Sequence, residues 1–256
     1  MGETGVAAML LAAGRGERMR PLTDTLPKSL LPLGGKPLMQ WSMEALARGA
    51  CDRIVINTAW LGEQIETAYG ASFSTQQTLP IQYSHEGRDF GTGLETAGGV
   101  ARALPLLCPT LQAGRHEGIF WVLASDVFAP DYVFSRLAVQ RFARSGMLAH
   151  LWLVPNPAHH PAGDFGLSSD GLALRGACVR HTYSGFGLYR GTLFAPPWCD
   201  IPAGNPQGAK APLAALLRAA MDNALVSAEL YHGAWTDVGT PERLEQLNQH
   251  LKRDLS

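Results

Sequence analysis

The sequence has little of several features that mark specialised classes of protein. Four cysteines in 256 residues are scattered without the paired spacing of a zinc site or a disulfide framework. A formal net charge of −1 gives no overall reason to expect nucleic acid or an anionic membrane as partner. The first apolar run, residues 6–13, is too short for a secretory core with its cleavage site or for a membrane span. We therefore predict a cytoplasmic protein that binds neither nucleic acid nor a membrane.

Two common phosphate-binding motifs are incomplete as well. Gly14 and Gly16 follow the first apolar run, but a dinucleotide-binding fingerprint needs a third glycine where this chain has Met19. A P-loop needs Gly-Lys followed by Ser or Thr, and the Gly-Lys pair at 35–36 continues into proline. Neither motif explains the glycines.

The segment 14–20 instead alternates glycine with arginine. Glycine lets backbone N–H groups approach a ligand closely, and arginine and lysine supply charge for phosphate oxygens. Lys28 follows a proline-punctuated segment that can return it to the same loop. The pattern predicts a polyphosphate site at the carboxyl end of the first strand, where open α/β sheets bind ligands. The alternative is a glycine-rich surface turn with solvated cations.

Further along, apolar runs alternate with segments of helical periodicity. The predicted strands cover 53–57, 79–84, 119–124, 147–154 and 182–189, and a hairpin over 165–175 turns at Asp170-Gly171. The predicted helices cover 37–49, 62–69, 96–104, 211–221 and 242–251. This alternation predicts an α/β protein with a mostly parallel sheet and helices on both faces.

The motif around the glycine loop resembles the signature of sugar-1-phosphate nucleotidyltransferases. The matching residues are Leu11-Ala12-Ala13-Gly14, Gly16, Arg18-Met19, Pro21-Leu22-Thr23 and Pro27-Lys28. The resemblance implies one Rossmann-like, GT-A-like domain over 1–256, with a nucleotide-binding half at about 1–125. The other half, about 126–256, is expected to bind the sugar in a small subregion and to complete the metal site. The loop from Leu11 to Gly16 would hold a nucleoside triphosphate, and Arg18 and Lys28 would stabilise the transferring phosphate.

A second glycine-rich loop, 85–99, resembles the base-recognition segment of the same family. The matching run is Leu94-Glu95-Thr96-Ala97-Gly98-Gly99, which opens a helix beneath the nucleotide. Either Glu86 or Glu95 can accept the N3–H of a pyrimidine, and backbone near Gly93 can serve its carbonyl. The alternative for each glutamate is an acidic helix N-terminus, which the helix dipole favours. The linker 87–93 is longer than usual for the family, so both interpretations stay open.

Two aspartates stand in family contexts far apart in the sequence. Asp126 follows the apolar run 119–124, at the edge of a sheet that faces the ligand crevice, and Asp237 precedes the last helix. Hard Mg²⁺ prefers carboxylate oxygens. The resemblance implies that Asp126 and Asp237 hold one Mg²⁺ between them. The alternatives are a helix cap for Asp237, although Thr240 stands at the better cap position, and an ordinary loop carboxylate for Asp126.

The loop 156–165 contains the adjacent histidines His159 and His160. On an extended chain they point to opposite sides, which favours hydrogen bonding or loop structure over a metal site.

The finer resemblance is to the N-acetylmuramate-1-phosphate uridylyltransferases of bacterial cell-wall recycling. It is carried by Asn57-x-Ala59-Trp60-Leu61-Gly62, Leu94-Glu95-Thr96, Asn156-Pro157-x-His159-His160, Gly163-Asp164-Phe165 and Tyr183-Ser184-Gly185. It implies UTP and a sugar 1-phosphate as substrates, with sugar contacts at Asn156, Asp164, Ser184 and Gly185. Glucose, mannose or N-acetylglucosamine 1-phosphate as acceptor, or a non-catalytic subunit that binds a nucleotide-sugar, are the alternatives.

Overall fold

An eight-stranded, mostly parallel sheet organises the protein, whose computed structural model describes residues 6–109 and 118–254. The strands are β1 (Val6–Leu11), β2 (Pro32–Leu33), β3 (Lys36–Pro37), β4 (Cys51–Thr58), β5 (Ser72–Ser74), β6 (Thr78–His85), β7 (Ile119–Ala124), β8 (Val127–Phe128), β9 (Ala149–Val154), β10 (Gly166–Leu167), β11 (Ala173–Leu174), β12 (Thr182–Arg190), β13 (Val226–Leu230) and β14 (Thr236–Asp237). The helices are α1 (Leu38–Arg48), α2 (Gly62–Tyr69), α3 (Glu86–Phe90), α4 (Glu95–Leu107), α5 (Arg136–Ser145), α6 (Leu213–Met221) and α7 (Pro241–Asp254). Single 3-10 turns occupy Glu17–Met19, Leu22–Asp24, Lys28–Leu30 and Gly191–Phe194.

The large sheet has the order β13-β9-β12-β7-β1-β4-β6-β5. Strand β1 is central and pairs in parallel with β4 and β7, while β12 and β5 run antiparallel to their neighbours. The predicted α/β class with a mostly parallel sheet is thus confirmed. Because β1 and β7 lie side by side, the loops that follow them open at the same edge of the sheet.

The core lies on both faces of this sheet because side chains alternate along each strand. In β1, Ala7 and Met9 pack toward α4 and α6, and Ala8 and Leu10 pack toward α1 and α5. All four side chains are fully buried. Burial on both faces explains why the central strands are continuous apolar runs.

A smaller third cluster fixes the glycine loop to the C-terminal part of the chain. Met19 is fully buried in it beside Leu33, Phe128, Val238 and Leu244. The side chain that excluded a dinucleotide fingerprint therefore anchors the loop between α7 and the β8–β14 pair. Within the described residues, no helix is long and apolar enough to cross a membrane.

Most predicted elements are present, with boundaries that differ by a few residues. Helix α2 and strand β7 match their predicted ranges at both ends, and the predicted hairpin forms from β10 and β11. The first strand ends at Leu11, two residues earlier than predicted. Within 85–99, predicted as a loop that leads into the helix over 96–104, residues 86–90 instead form the short helix α3, which ends at Gly91 with φ of 74°. That helix absorbs much of the extra length of the linker.

Candidate active site

Hydrogen bonds at both ends shape the loop that follows β1. At its start, the N–H of Ala12 donates to Asn57 Oδ1 at 2.8 Å. Further on, the buried Thr23 hydroxyl donates to the carbonyl of Gly16 at 2.8 Å. Gly16 has φ of 68°, and a Cβ there would lie 3.0 Å from the Thr23 side chain, so this turn requires glycine. The loop is therefore held open in a defined shape.

The loop and the segment around Lys28 enclose a cavity of about 280 Å³. Its walls include Gly14, Gly16, Arg18, Lys28, Asp126 and Gly239. We call it the phosphate cavity. The Arg18 guanidinium has no hydrogen bond or ion pair within residues 6–109 and 118–254, whereas Lys28 Nζ forms an ion pair with the Asp126 carboxylate. The structure thus brings together the predicted Arg18, Lys28 and Asp126.

The two predicted metal ligands lie on adjacent segments of chain. Strand β14 pairs with β8, and the N–H of Val238 donates to the carbonyl of Asp126 at 2.8 Å. The Asp237 carboxylate accepts a hydrogen bond from Arg243 Nη1 at 2.6 Å and lies 2.8 Å from His159 Nε2. The first turn of α7 is capped instead by Thr240, whose hydroxyl accepts from the N–H of Arg243 at 3.4 Å.

The surroundings of Asp126 and Asp237 fit a divalent cation. Asp237 Oδ1 is buried, and its contact with His159 lacks hydrogen-bond geometry, which leaves a carboxylate oxygen with unused capacity. Lys28 and Arg243 supply positive charge to the two carboxylates in this structure. Over the described part of the chain, no cluster of three or more His, Cys, Asp or Glu side chains could hold an ion. Water and phosphate oxygens would complete the ligand set, as is usual for Mg²⁺.

A second cavity of about 580 Å³ opens beside the phosphate cavity, and Gly14 lines both. We call it the nucleoside cavity; its walls include Ala13, Asn57, Trp60, Glu86, Gly93 and Glu95. Glu86 is fully buried and accepts hydrogen bonds from Asn57 Nδ2 and from the N–H of Leu94, each at 2.7 Å. Burial raises the pKa of its carboxyl. Glu86 thus ties together β4, α3 and the start of α4.

Glu95 lines the same cavity as Glu86 but differs from it in burial and hydrogen bonding. It is exposed, has no hydrogen bond or ion pair with the described residues, and adopts φ of 60° at the first position of α4. Such a backbone angle is uncommon outside glycine and stores strain. Which glutamate contacts a base stays a prediction, as does the nucleotide contact of Gly98. A Cβ at Gly98 would lie 2.5 Å from the carbonyl of Ala209, so packing accounts for glycine there.

A third cavity of about 540 Å³ adjoins the nucleoside cavity along Leu11, Glu95, Thr96 and Ala124. Of the predicted sugar-binding residues, Asp164 and Gly185 line it. Asn156 instead ties its loop together through bonds to Pro161 O (3.1 Å), Arg180 O (2.9 Å) and Thr182 Oγ1 (2.9 Å). Ser184 is fully buried, and its hydroxyl donates to Phe186 O at 3.3 Å. Asn156 and Ser184 therefore form hydrogen bonds within the protein and are not in the lining of the third cavity.

The adjacent histidines diverge, as the sequence predicted. His160 Nε2 lies 3.1 Å from Asp164 Oδ1, while His159 reaches Asp237. The sequence did not predict the contacts of Asp237 with His159 and Arg243. His159 is distant in the sequence, and the contact with Arg243 depends on how α7 turns back toward β14. Sequence reasoning also missed Arg15, whose guanidinium lies over the Trp60 ring.

The glycine loop, the paired aspartates and the adjoining cavities agree with what comparison with known proteins finds. The model of the nucleotidyl transferase family matches residues 7–170, and the chain belongs to this family. It is therefore a nucleotidyltransferase, and enzymes of this family generally use a divalent metal.

Two relatives align over nearly their whole length. The chain is 42% identical over 241 residues to an N-acetylmuramate alpha-1-phosphate uridylyltransferase of Neisseria meningitidis, covering 93% of this chain and 95% of that protein. It is 30% identical over 245 residues to a protein of the same name from Caulobacter vibrioides, covering 94% and 95%. Among solved structures, apo UDP-glucose pyrophosphorylase superposes with a TM-score of 0.73 over 99% of this chain and 100% of that one. At 14% identity, this likeness shows the fold alone.

Proposed function

We propose that the protein transfers UMP from UTP to N-acetylmuramate α-1-phosphate, giving UDP-N-acetylmuramate and pyrophosphate. The observation that carries this proposal is the meeting of Arg18, Lys28 and Asp126 around one cavity, with Asp237 on the adjoining strand. The choice of uridylyl donor and acceptor rests on the 42% identity with the Neisseria enzyme. Such an activity would serve peptidoglycan recycling in the cytoplasm.

The reaction joins two anions, so charge neutralisation and alignment are the main tasks of the protein. The sugar phosphate attacks the α-phosphorus in line, and pyrophosphate leaves. Arg18 would neutralise charge that develops on the leaving phosphates, and Lys28 would bind between the α-phosphate and the sugar phosphate. A phosphate monoester is already ionised at neutral pH, so the step needs no general base.

Asp126 and Asp237 would hold a Mg²⁺ ion. The bound ion supplies positive charge at the phosphate oxygens and helps to orient them. Lys28 pairs with Asp126 and Arg243 pairs with Asp237, so a bound metal ion would take over part of the charge compensation at both carboxylates. Lys28 would then be free to turn toward phosphate.

The remaining predicted residues fall into two groups, one at the nucleotide site and one at the acceptor sugar. Leu11, Ala12, Ala13, Gly14, Gly16, Glu86, Gly93 and Gly98 would form or support the nucleotide site. Asp164 and Gly185 would contact the acceptor sugar, with Asn156 and Ser184 holding the loop and strand behind them. The large sheet takes strands from both halves of the chain, which supports one functional unit over 1–256 with the nucleotide half at about 1–125.

A substrate panel tests the proposal. The protein is incubated with Mg²⁺ and each pairing of UTP, GTP, dTTP or ATP with N-acetylmuramate, N-acetylglucosamine, glucose or mannose 1-phosphate, and products are identified by mass spectrometry. We expect UDP-N-acetylmuramate to form with the highest kcat/KM. A higher value for another acceptor would reassign the substrate within the same chemistry. No pyrophosphate release with any pair would contradict the proposed reaction and favour a protein that only binds a nucleotide-sugar.

A further inference from the structure

Arg15 lines the nucleoside cavity, and its chain neighbours Gly14 and Gly16 line the phosphate cavity. Its guanidinium carbon lies 3.2 Å from the centroid of the Trp60 ring, which is a cation–π stack. Arg15 follows Gly14, the glycine that lines both cavities, and its own side chain lines the nucleoside cavity. The stack therefore holds a cation beside the path that a nucleotide would take from one cavity to the other.

Trp60 is itself fixed to the glycine loop. Its indole Nε1–H donates to the carbonyl of Thr23 at 2.9 Å, and the Thr23 hydroxyl donates to the carbonyl of Gly16 at 2.8 Å. Thr23 is fully buried. These bonds tie the Trp60 ring to the loop that carries Arg15, so the ring and the guanidinium keep a fixed relative position.

One nitrogen of the Arg15 guanidinium lacks a hydrogen-bond acceptor. Nη1 is buried and has no hydrogen-bond partner. Among the described residues, Arg15 forms an ion pair with Glu17, whose carboxylate lies 3.4 Å from Nε and whose side chain is 64% exposed. Such an exposed pair contributes little. An unpaired buried guanidinium nitrogen is costly, and an anionic ligand would satisfy it.

We infer that Arg15 is a second phosphate-binding residue of the nucleotide site and that Trp60 is the residue that positions it. Arg18 would bind the triphosphate from within the phosphate cavity, and Arg15 would bind it from the nucleoside side. Planar guanidinium groups suit this role because they present parallel N–H donors to phosphate oxygens. The inference deepens the proposed function and rests on a nucleoside triphosphate occupying this cleft.

Binding measurements with Mg²⁺ and without acceptor sugar test the role of Arg15. Titration calorimetry gives the Kd of UTP. Competition of uridine or tripolyphosphate with UTP gives the inhibition constants of these two ligands. For Arg15→Ala we expect about a tenfold or greater rise in the values for UTP and tripolyphosphate, with uridine unchanged within twofold. Arg15→Lys keeps the charge but loses the planar stack, so its Kd for UTP should lie between those of the wild type and Arg15→Ala. An unchanged Kd for UTP, or an equal loss for uridine, would overturn the assignment.

Arg20 provides the matched control for Arg15. It lies in the same loop, pairs with Asp24 at 2.7 Å and lines neither cavity. Arg20→Ala removes the same charge from the loop and should leave the Kd of UTP unchanged. A rise equal to that of Arg15→Ala would mean that general charge, and not the stack, attracts the triphosphate, and would contradict the assignment.

A double-mutant cycle tests the positioning role of Trp60. Trp60→Leu removes the aromatic face, and Trp60→Phe keeps a face but loses the bond to Thr23. If Trp60 acts through Arg15, Trp60→Leu should raise the Kd of UTP in the wild-type background and have little further effect on Arg15→Ala. Additive losses would contradict the positioning role and leave Trp60 a structural residue.

The outcomes also separate this inference from the proposed function. If wild-type protein binds UTP and Arg15→Ala binds it equally well, the inference fails while the proposed function stands. If wild-type protein binds no nucleoside triphosphate, both fail.

Discussion

The backbone N–H of Val238 donates to the carbonyl of Asp126 at 2.8 Å, across more than a hundred residues of sequence. This bond extends the pairing of β8 with β14 and places Asp237 on the segment that adjoins Asp126, which lines the phosphate cavity. The pairing explains how two distant aspartates can serve one ion. It also makes the site depend on the C-terminal part of the chain.

Replacing either aspartate by asparagine should abolish turnover without unfolding the protein. The amide keeps the shape of the side chain but loses the charge that attracts a divalent cation, which is worth several kcal/mol in the transition state. We expect a loss of at least about 100-fold in kcat for Asp126→Asn and Asp237→Asn. Pyrophosphate release measures the rate, and thermal melting checks the fold.

The control for these variants is Asp222→Asn, because Asp222 pairs with Arg175 at 3.0 Å and lines none of the three cavities. Its activity should match the wild type. Near wild-type turnover in Asp126→Asn or Asp237→Asn would remove that residue from the metal site.

Arg18→Ala should lower kcat by roughly 100- to 1,000-fold, as the loss of a group that stabilises transition-state charge does. The guanidinium faces the phosphate cavity without a partner in the described chain, so its removal leaves no other side chain unpaired. Steady-state kinetics with varied UTP gives kcat and KM separately. A change confined to the KM for UTP would make Arg18 a binding residue and not a catalytic one.

Glu95→Gly should make the protein more stable and less active. Glycine tolerates φ of 60° without the steric cost that Glu95 bears, although it adds entropy to the unfolded chain. The net gain of about 1 kcal/mol corresponds to a rise in Tm of roughly 2–4 °C. Activity should fall because Glu95 lines both the nucleoside cavity and the third cavity.

Glu95→Ala separates the two effects, because alanine loses the carboxylate but keeps the strained backbone. It should lose activity as Glu95→Gly does, without the rise in Tm. If Glu95→Gly melted at or below the wild-type temperature, the backbone strain would have no energetic consequence.

Glu86→Gln should change how stability depends on pH. The folded-state pKa of Glu86 is raised by burial, so its favourable contribution is complete below the unfolded-state pKa and is lost as the pH rises through the folded-state pKa. Glutamine has no such loss, although it weakens the bond to the N–H of Leu94. The difference in Tm between Glu86→Gln and wild type should therefore become more positive from pH 4.5 upward.

Differential scanning calorimetry between pH 4.5 and 7.5 measures this trend, with the exposed Glu63→Gln as control. A difference in Tm that stays constant for Glu86→Gln, or that becomes more negative, would show that the buried carboxyl carries no pH-dependent cost.

Local pattern predicted much of the fold. The apolar run of β7 and the helical spacing of α2 each contain enough regular sequence to define both ends. Helix α3 was missed because its five residues, Glu-Gly-Arg-Asp-Phe, include one large apolar side chain and a glycine and therefore show no apolar period. Strand β13 was missed because it is short and lies at one end of the sheet, where pairing with β9 defines it.

The sequence predicted the site residues that belong to a family motif, but not the contacts between residues that are far apart in the chain. Arg18, Lys28 and Asp126 meet around the phosphate cavity as the resemblance implied. The pairing of Lys28 with Asp126, 98 residues apart, and the contact of His159 with Asp237 depend on tertiary folding that no local pattern encodes. Glu86 is buried and Glu95 is exposed, and this difference appears only in the folded protein. The sequence alone left both glutamates as candidates for the base contact.

Asp126 and Asp237 are proposed to share one divalent cation on a bound triphosphate. Anomalous diffraction from crystals grown with Mn²⁺ and a non-hydrolysable UTP analogue tests this proposal directly. We predict one strong peak about 2.1 Å from a carboxylate oxygen of each aspartate and from a phosphate oxygen of the analogue. A peak bound by only one of the two aspartates, or a triphosphate that lies away from the glycine loop, would contradict it.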